Sequence, residues 1–354
     1  MNISFWLRED QCRENNIFFN PTDATGAKAH LKYQHLFEFL KNKGINLKTY
    51  DLIKNYKALD AAIFVDYPLV PSKKAVDIFN LDLPKILITD ENKYLRPNVW
   101  NKENLKFFDY ILCNDDDYID NEKFLKHHAH DHFKDLTLNF EILKKDFKDK
   151  KFLSMISWNK KYNHPELNYN ERIKVIDWFE KHHPNEFDLF GPNWDEFVFS
   201  WDLPLFRRLN SNRFKALRKI FGKKYSSWKG KINNKVDSIK DYKFVFVFEN
   251  TNSINGYITE KIFDVFYGGS IPIYLGAKNI KNYISDKCFI NLKDFKNLED
   301  LFLYLKSIDS FKYQEMLNEV EKFLNSEQSY SFTTKHFCEK VYSILSNIKN
   351  NYDK

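Results

Sequence analysis

The residues best suited to chemistry stand in one run of 35, from Tyr242 to Gly276. An apolar stretch, Phe244-Val245-Phe246-Val247-Phe248, leads into Glu249-Asn250. Five consecutive aromatic and β-branched residues predict a strand buried on both faces, which sets the two polar side chains at its carboxyl end. A loop containing Gly256 follows, then Tyr257-Ile258-Thr259-Glu260-Lys261. Thr259 is a sound N-cap for a helix beginning at Glu260. The free N–H groups of such a terminus, with Lys261 in the first turn, suit phosphate oxygens. The helix is expected to close at Gly268-Gly269, and a strand over Ile271–Leu275 to end at Gly276. Taken singly, Thr259 would only cap a structural helix, Glu260 would only favour its dipole, and Lys261 would be solvated.

A phosphate loop of this kind needs a parallel sheet to hold it. Candidate strands recur through the first half at Ile3–Leu7, Ala62–Asp66, Lys85–Thr89 and Tyr110–Cys113. Between the first two, Ala27–Asn42 has Leu31, Phe37 and Leu40 at helical spacing, with Gly44 as a stop. A second series runs through a strand at Phe152–Ile156, a helix at Glu171–Lys181 and a strand at Phe187–Phe190. Strands at Phe244–Phe248, Ile271–Leu275 and Cys288–Ile290 continue it, and Leu298–Ile348 is helical in pattern. The stretch from Trp194 to Lys235 is basic and aromatic without clean periodicity, and reads as loops with a short helix. Strands alternating with helices imply an α/β fold of βαβ units. Two such series predict two Rossmann-like domains, residues 1–150 and 151–325, followed by a helical tail over 326–354. The boundary falls at the charged run Lys144–Lys151. Ligands of such folds bind beyond the carboxyl ends of the strands, here in a cleft that the two domains face.

Composition narrows the class. Aromatic residues make up 17% of the 354, including 34 Phe and 20 Tyr, so a core can be filled without disulfides or structural metals. The four cysteines lie far apart with no CxxC pair, which fits a reducing compartment and offers no metal-ligand spacing. No apolar run approaches the ~18–20 residues that span a bilayer, and Met1–Arg8 reads as a strand rather than a signal peptide. A cytoplasmic location is therefore expected. The net charge of +6 favours anionic partners without choosing among phosphorylated ligands, nucleic acid and membrane surfaces.

The spelling of the 35-residue run resembles the signature of the α1,3/α1,4-fucosyltransferase family. The matching parts are Tyr242-Lys243-Phe244, Phe248-Glu249-Asn250, Tyr257-Ile258-Thr259-Glu260-Lys261 and Gly269-Ser270-Ile271-Pro272-Ile273-Tyr274-Leu275-Gly276. Looser echoes are Trp228-Lys229-Gly230, Asp188-Leu189-Phe190-Gly191, Ser157-Trp158-Asn159 followed by Arg172, and Leu87-Ile88-Thr89-Asp90-Glu91 followed by Arg96-Pro97-Asn98. The resemblance implies a GT-B fold and an inverting transfer of L-fucose from GDP-fucose to a hydroxyl of an oligosaccharide or glycoconjugate acceptor. It implies no cofactor and no metal, and an α1,3 linkage to an N-acetylglucosamine- or glucose-type residue is the expected product. By the same resemblance Arg172 and Lys261 meet the pyrophosphate. Glu260 accepts hydrogen bonds from donor hydroxyls, and Glu249, Asn250, Tyr257 and Thr259 belong to the donor pocket. Glu91 is then the candidate base, with Asp90 adjacent. The loop Thr251–Gly256 is longer than in many relatives, a departure that bears on where Tyr257 sits. A GT-B enzyme using another GDP-sugar is the alternative reading.

Three features compete. Asp115-Asp116-Asp117 could hold a metal and a diphosphate, and His127-His128-Ala129-His130-Asp131-His132 could bind zinc. Acidic triplets and polar helix surfaces are the commoner identities of such runs. Residues 207–224 form the densest basic segment, which suggests peripheral membrane contact at the inner face or, as a rival class, a nucleic-acid-binding module. Nucleic acid is not the expected partner.

Overall fold

The computed structural model describes residues 1–7, 13–20, 30–66, 78–128, 145–232 and 234–352. The chain divides into two compact units. One comprises Met1–Leu138, Asn255–Glu260 and Ser329–Lys354; the other comprises Asn139–Ile254 and Lys261–Gln328.

The first unit is built on a six-stranded sheet in the order β2-β1-β3-β4-β5-β6, every neighbouring pair parallel. Its strands are β1 (Asn2–Trp6), β2 (Asn46–Thr49), β3 (Ala61–Val65), β4 (Lys85–Ile88), β5 (Tyr110–Cys113) and β6 (Phe124–Lys126). β3 and β4 are buried along their whole length, as strands covered on both faces must be. Helix α1 (Leu31–Asn42) buries Tyr33, Leu36 and Leu40. Gly44 follows its end with φ +73, a conformation that suits glycine. The C-terminal helix, Thr334–Tyr352, also packs in this unit, against α1. Its Phe337, Val341, Ile344, Leu345 and Ile348 recur at helical spacing and all join the first unit's core. The tail is thus helical, but its apolar stripe needs a partner and finds it here.

The second unit carries a five-stranded parallel sheet in the order β11-β10-β9-β7-β8. Its strands are β7 (Lys151–Ile156), β8 (Phe187–Phe190), β9 (Tyr242–Phe248), β10 (Ile271–Leu275) and β11 (Ile290–Asn291). Its helices include α2 (Tyr169–His182), α3 (Pro204–Arg208), α4 (Lys215–Ile220), α5 (Glu260–Tyr267), α6 (Leu298–Ser307) and α7 (Ser310–Leu324). α5 opens in the segment assigned to the first unit, and from Lys261 onward it belongs to the second. The expected strand over Cys288–Ile290 is instead a 3-10 turn at Asp286–Cys288 followed by β11. The Ser285 hydroxyl accepts from the Lys287 N–H at 3.3 Å, and this local bond turns the chain before the strand can begin.

Both sheets are wound alike. In each, the chain leaves the first strand to one side and returns to the other, so the switch points fall between β1 and β3 and between β7 and β9. Ligands of doubly wound folds bind outside the carboxyl ends of the strands at such points.

Candidate active site

In the second unit the nominated residues gather at the carboxyl end of β9, one of the two switch-point strands. β9 is buried from Phe244 to Phe248 and is flanked by β7 and β10, which fixes where Glu249 and Asn250 emerge. The Glu249 side chain is fully buried, and its Oε2 lies 3.1 Å from Lys261 Nζ. A buried carboxylate demands such a partner. Beneath it, the Tyr274 hydroxyl accepts from the Ala277 N–H at 3.0 Å. Burial, and then the Glu249 charge, hold this phenol well above its usual pKa, so it stays neutral. Gly276 makes the arrangement possible: a Cβ there would stand 2.2 Å from the Tyr274 hydroxyl and 2.6 Å from Glu249 Cγ.

Arg172 reaches the same strand end from α2, whose buried face is Tyr169, Arg172, Val175, Ile176 and Phe179. Its Nη2 donates to the Phe248 carbonyl at 3.0 Å, the Glu249 carbonyl at 3.3 Å and Asn250 Oδ1 at 3.1 Å. The guanidinium lies 4.7 Å from the Tyr169 ring centroid. Asn168, which the sequence reading passed over, donates from Nδ2 to the Glu249 carbonyl at 3.1 Å, and its backbone N–H donates to the Asn250 carbonyl at 2.9 Å. Two cations, Arg172 and Lys261, are therefore held at the end of one strand.

The looser echoes also meet within this unit. Asp188 on β8 accepts from the Tyr242 hydroxyl at 2.6 Å and from Lys151 Nζ at 3.0 Å. Trp228-Lys229-Gly230 runs beside the end of β8: the Lys229 N–H donates to the Leu189 carbonyl and the Gly191 N–H to the Gly230 carbonyl, both at 2.9 Å.

In the first unit, Glu91 follows β4. Its Oε1 accepts from the Tyr257 hydroxyl at 2.8 Å, from the Asn92 N–H at 3.0 Å and from Asn92 Nδ2 at 2.9 Å. Tyr257 is buried, and Thr259, also buried, directly precedes α5 with Glu260 as its first residue. The segment before Tyr257 is fixed by residues that looked like a metal site. The Asp116 N–H donates to the Asn255 carbonyl at 3.0 Å, Asn255 Nδ2 donates to Asp117 Oδ1 at 3.0 Å, and Lys126 Nζ donates to the Gly256 carbonyl at 3.0 Å. Gly256 has φ +75, and a Cβ there would meet Asp116 Oδ1 and Lys126 Nζ at 2.2 Å. Asp115 pairs with Lys93 at 2.8 Å and Asp116 with Lys126 at 2.6 Å. The acidic triplet is engaged with amines and backbone.

A second carboxylate stands beside Glu91. Asp66, just past β3 and at the first unit's switch point, takes φ +40 and accepts from the Asp90 N–H at 3.2 Å. Burial, then the charge of Asp90, push its carboxyl up to about 7, with Glu91 adding to the rise and Arg96 opposing it. Asp90 goes the other way. Burial resists its ionisation, but Lys32 Nζ at 2.5 Å, the Tyr33 hydroxyl at 2.6 Å and His127 Nε2 at 3.4 Å surround it. Lys32 and His127 hold it well below the usual carboxylate range. Burial pushes His127 down to about 4, against the pull of the Asp90 hydrogen bond. Asp90 is therefore a structural anion. His128 stacks on Phe332 with centroids 4.0 Å apart; His130, Asp131 and His132 lie outside the described residues. Among the described residues no three His, Cys, Asp or Glu side chains are grouped as metal ligands.

The two parallel sheets define the GT-B glycosyltransferase fold. A crystal structure of an α1,3-fucosyltransferase with GDP superposes on 98% of this chain and 90% of its own at a TM-score of 0.58 and 17% identity, a likeness of fold. Residues 207–352 match the domain described as "Glycosyltransferase family 10 (fucosyltransferase) C-term". The chain is similar to the α-(1,3)-fucosyltransferase FucT of Helicobacter pylori, 33% identical over 122 residues, 34% of this chain. It is also similar to an α-(1,4)-fucosyltransferase of Arabidopsis thaliana, 35% identical over 80 residues, 22% of this chain. The matches span 25% and 20% of the length of those two relatives.

Proposed function

We propose that the chain transfers L-fucose from GDP-fucose to a hydroxyl of an oligosaccharide or glycoconjugate with inversion at the fucose C1. The reading rests on the family domain and on one observation above all: Arg172 and Lys261 converge at the end of β9, beside Glu249 and Asn250. As the glycosidic bond breaks, positive charge develops on the fucose ring and negative charge on the departing diphosphate. Arg172 and Lys261 meet the diphosphate oxygens, so side chains rather than a metal supply the compensating charge. Asn250, Thr259 and Glu260 hold the nucleotide sugar by hydrogen bonds. On the acceptor side, Glu91 takes the proton of the attacking hydroxyl, and Tyr257 and Asn92 aim its carboxylate. The α1,3 linkage follows the H. pylori relative's name, and the N-acetylglucosamine- or glucose-type acceptor residue is what the resemblance of the 35-residue run implies.

Titration of GDP into the parent protein and a Lys261→Ala variant tests the assignment of the pocket. GDP affinity is expected to fall by one to two orders of magnitude in the variant, the range of a lost charge-assisted contact. Equal affinity would remove Lys261 from the site.

A further inference from the structure

A strongly basic segment of the second unit, for which the sequence suggests membrane contact, takes no part in the candidate active site. Seven of the thirteen exposed large apolar side chains among the described residues fall between Phe197 and Phe221, a concentration in one segment rather than the scatter normal for a protein surface. The most prominent are Leu205 at 73%, Ile220 at 75% and Phe221 at 67% exposure. Phe197, Phe199, Leu209, Phe214 and Leu217 line an apolar pocket of about 340 Å³ in the same face.

The segment that displays these groups is firmly built. Arg218 is buried, bonds Glu196 Oε2 at 2.5 Å, and donates to the Leu209 and Ser211 carbonyls at 2.8 and 2.6 Å. Asn210 bonds both the N–H and the carbonyl of Phe199, at 3.0 and 2.9 Å. The fold thus holds Leu205, Ile220 and Phe221 outward.

The charge around them is predominantly positive, with Asp202 an exposed acid within the face, bonded to Ser200 and to the Asn163 N–H at 2.9 Å. Residues 203–224 contain eight Lys or Arg and no Asp or Glu. Nearby acids are engaged: Glu196 with Arg218, Asp195 with Lys219 at 2.7 Å, and Asp177 with Lys223 at 2.6 Å. Arg207, Arg208, Arg213 and Lys224 remain exposed. Protruding Leu, Ile and Phe ringed by cations suit the boundary between acyl chains and anionic headgroups. Nucleic acid would engage the cations but leave Leu205 and Ile220 in water.

We propose that the face formed by residues 197–224 docks the protein on an anionic phospholipid bilayer, with Leu205, Ile220 and Phe221 inserted and Arg207, Arg208 and Arg213 at the headgroups. The inference is independent of the fucosyl-transfer reading, and its test uses no sugar nucleotide. Purified full-length protein is sedimented with vesicles of phosphatidylglycerol and phosphatidylcholine, and with vesicles of phosphatidylcholine alone. The expected result is binding to the anionic vesicles that weakens with added salt and is at least about tenfold stronger than to the neutral ones. Arg207→Glu with Arg208→Glu, and separately Leu205→Ser with Ile220→Ser, should each weaken it by on the order of tenfold or more, with unchanged thermal melting. Absence of wild-type binding to anionic vesicles overturns the proposal whatever the variants do. So does binding that survives both double substitutions in folded protein. Affinity for a random-sequence DNA duplex without vesicle binding would reassign the face to nucleic acid.

Discussion

Lys261 and Glu249 serve each other as well as any ligand. Glu249 is fully buried, so removing the ammonium leaves its charge uncompensated. Lys261→Ala should therefore lower both turnover and stability, by about 3 kcal/mol of transition-state stabilisation and about 1–3 kcal/mol of folding free energy. The double variant Lys261→Ala/Glu249→Gln separates the two effects: melting temperature should recover and fucosyl transfer should not. Recovery of both would make Lys261 purely structural. Tyr257 makes a comparable contact in the first unit. Tyr257→Phe removes one of three hydrogen bonds on Glu91 Oε1, and kcat is expected to fall roughly fivefold to tenfold with the KM for GDP-fucose little changed. Glu91→Gln, which removes the base itself, should cost on the order of 10²–10⁴ in kcat.

Strand ends govern the pH behaviour. Asp66 sits at φ +40 beyond β3 with its carboxyl raised to about 7 by burial and by Asp90. The folded protein holds this proton more tightly than the unfolded chain does. Its contribution to stability is therefore complete below pH about 4 and is lost as pH rises through about 7. Asp66→Asn keeps the shape without the charge. The variant's melting temperature relative to the parent should climb between pH 4 and pH 7 and level off above; a pH-independent difference would contradict the assignment. None of this was legible in the sequence, where Asp66 was only the last residue of a strand. β3, β4, β9 and β10 were legible because each is a nearly continuous apolar run between parallel neighbours. β2, spelled Asn46-Leu47-Lys48-Thr49, and β6, spelled Phe124-Leu125-Lys126, are too short and too polar to announce themselves. Missing β6 hid Lys126, whose bond to the Gly256 carbonyl joins residues 130 apart in sequence. Glu249, Asn250, Tyr257, Thr259, Glu260 and Lys261 stand out together in the sequence because they are local to one run. Asn168 was missed because only the folded chain brings it to Asn250.

At the scale of the molecule, the chain returns at its end to complete the unit it began. The C-terminal helix contributes Phe337, Val341, Ile344, Leu345 and Ile348 to the first core, and Lys340 Nζ donates to the Lys126 carbonyl at 2.7 Å. Each buried aliphatic or aromatic side chain is worth about 1.5–3 kcal/mol, so five of them rival the whole net stability of a typical domain, about 5–15 kcal/mol. Ending the chain at Gln328 should leave the first unit unfolded, seen as protease sensitivity confined to residues 1–138. A sequence reading that treats the tail as an appendage predicts a folded truncation instead. The central claim, that this two-unit molecule carries fucose from GDP to a glycan, is tested most directly by GDP release. The reaction is run in EDTA with galactose- and N-acetylglucosamine-terminated acceptors, and GDP-fucose is compared with GDP-mannose and UDP-galactose. Acceptor-dependent release from GDP-fucose alone, undiminished by EDTA, is the predicted result. Release from GDP-mannose in its place would move the chain to another donor, and failure to bind GDP at all would contradict the account.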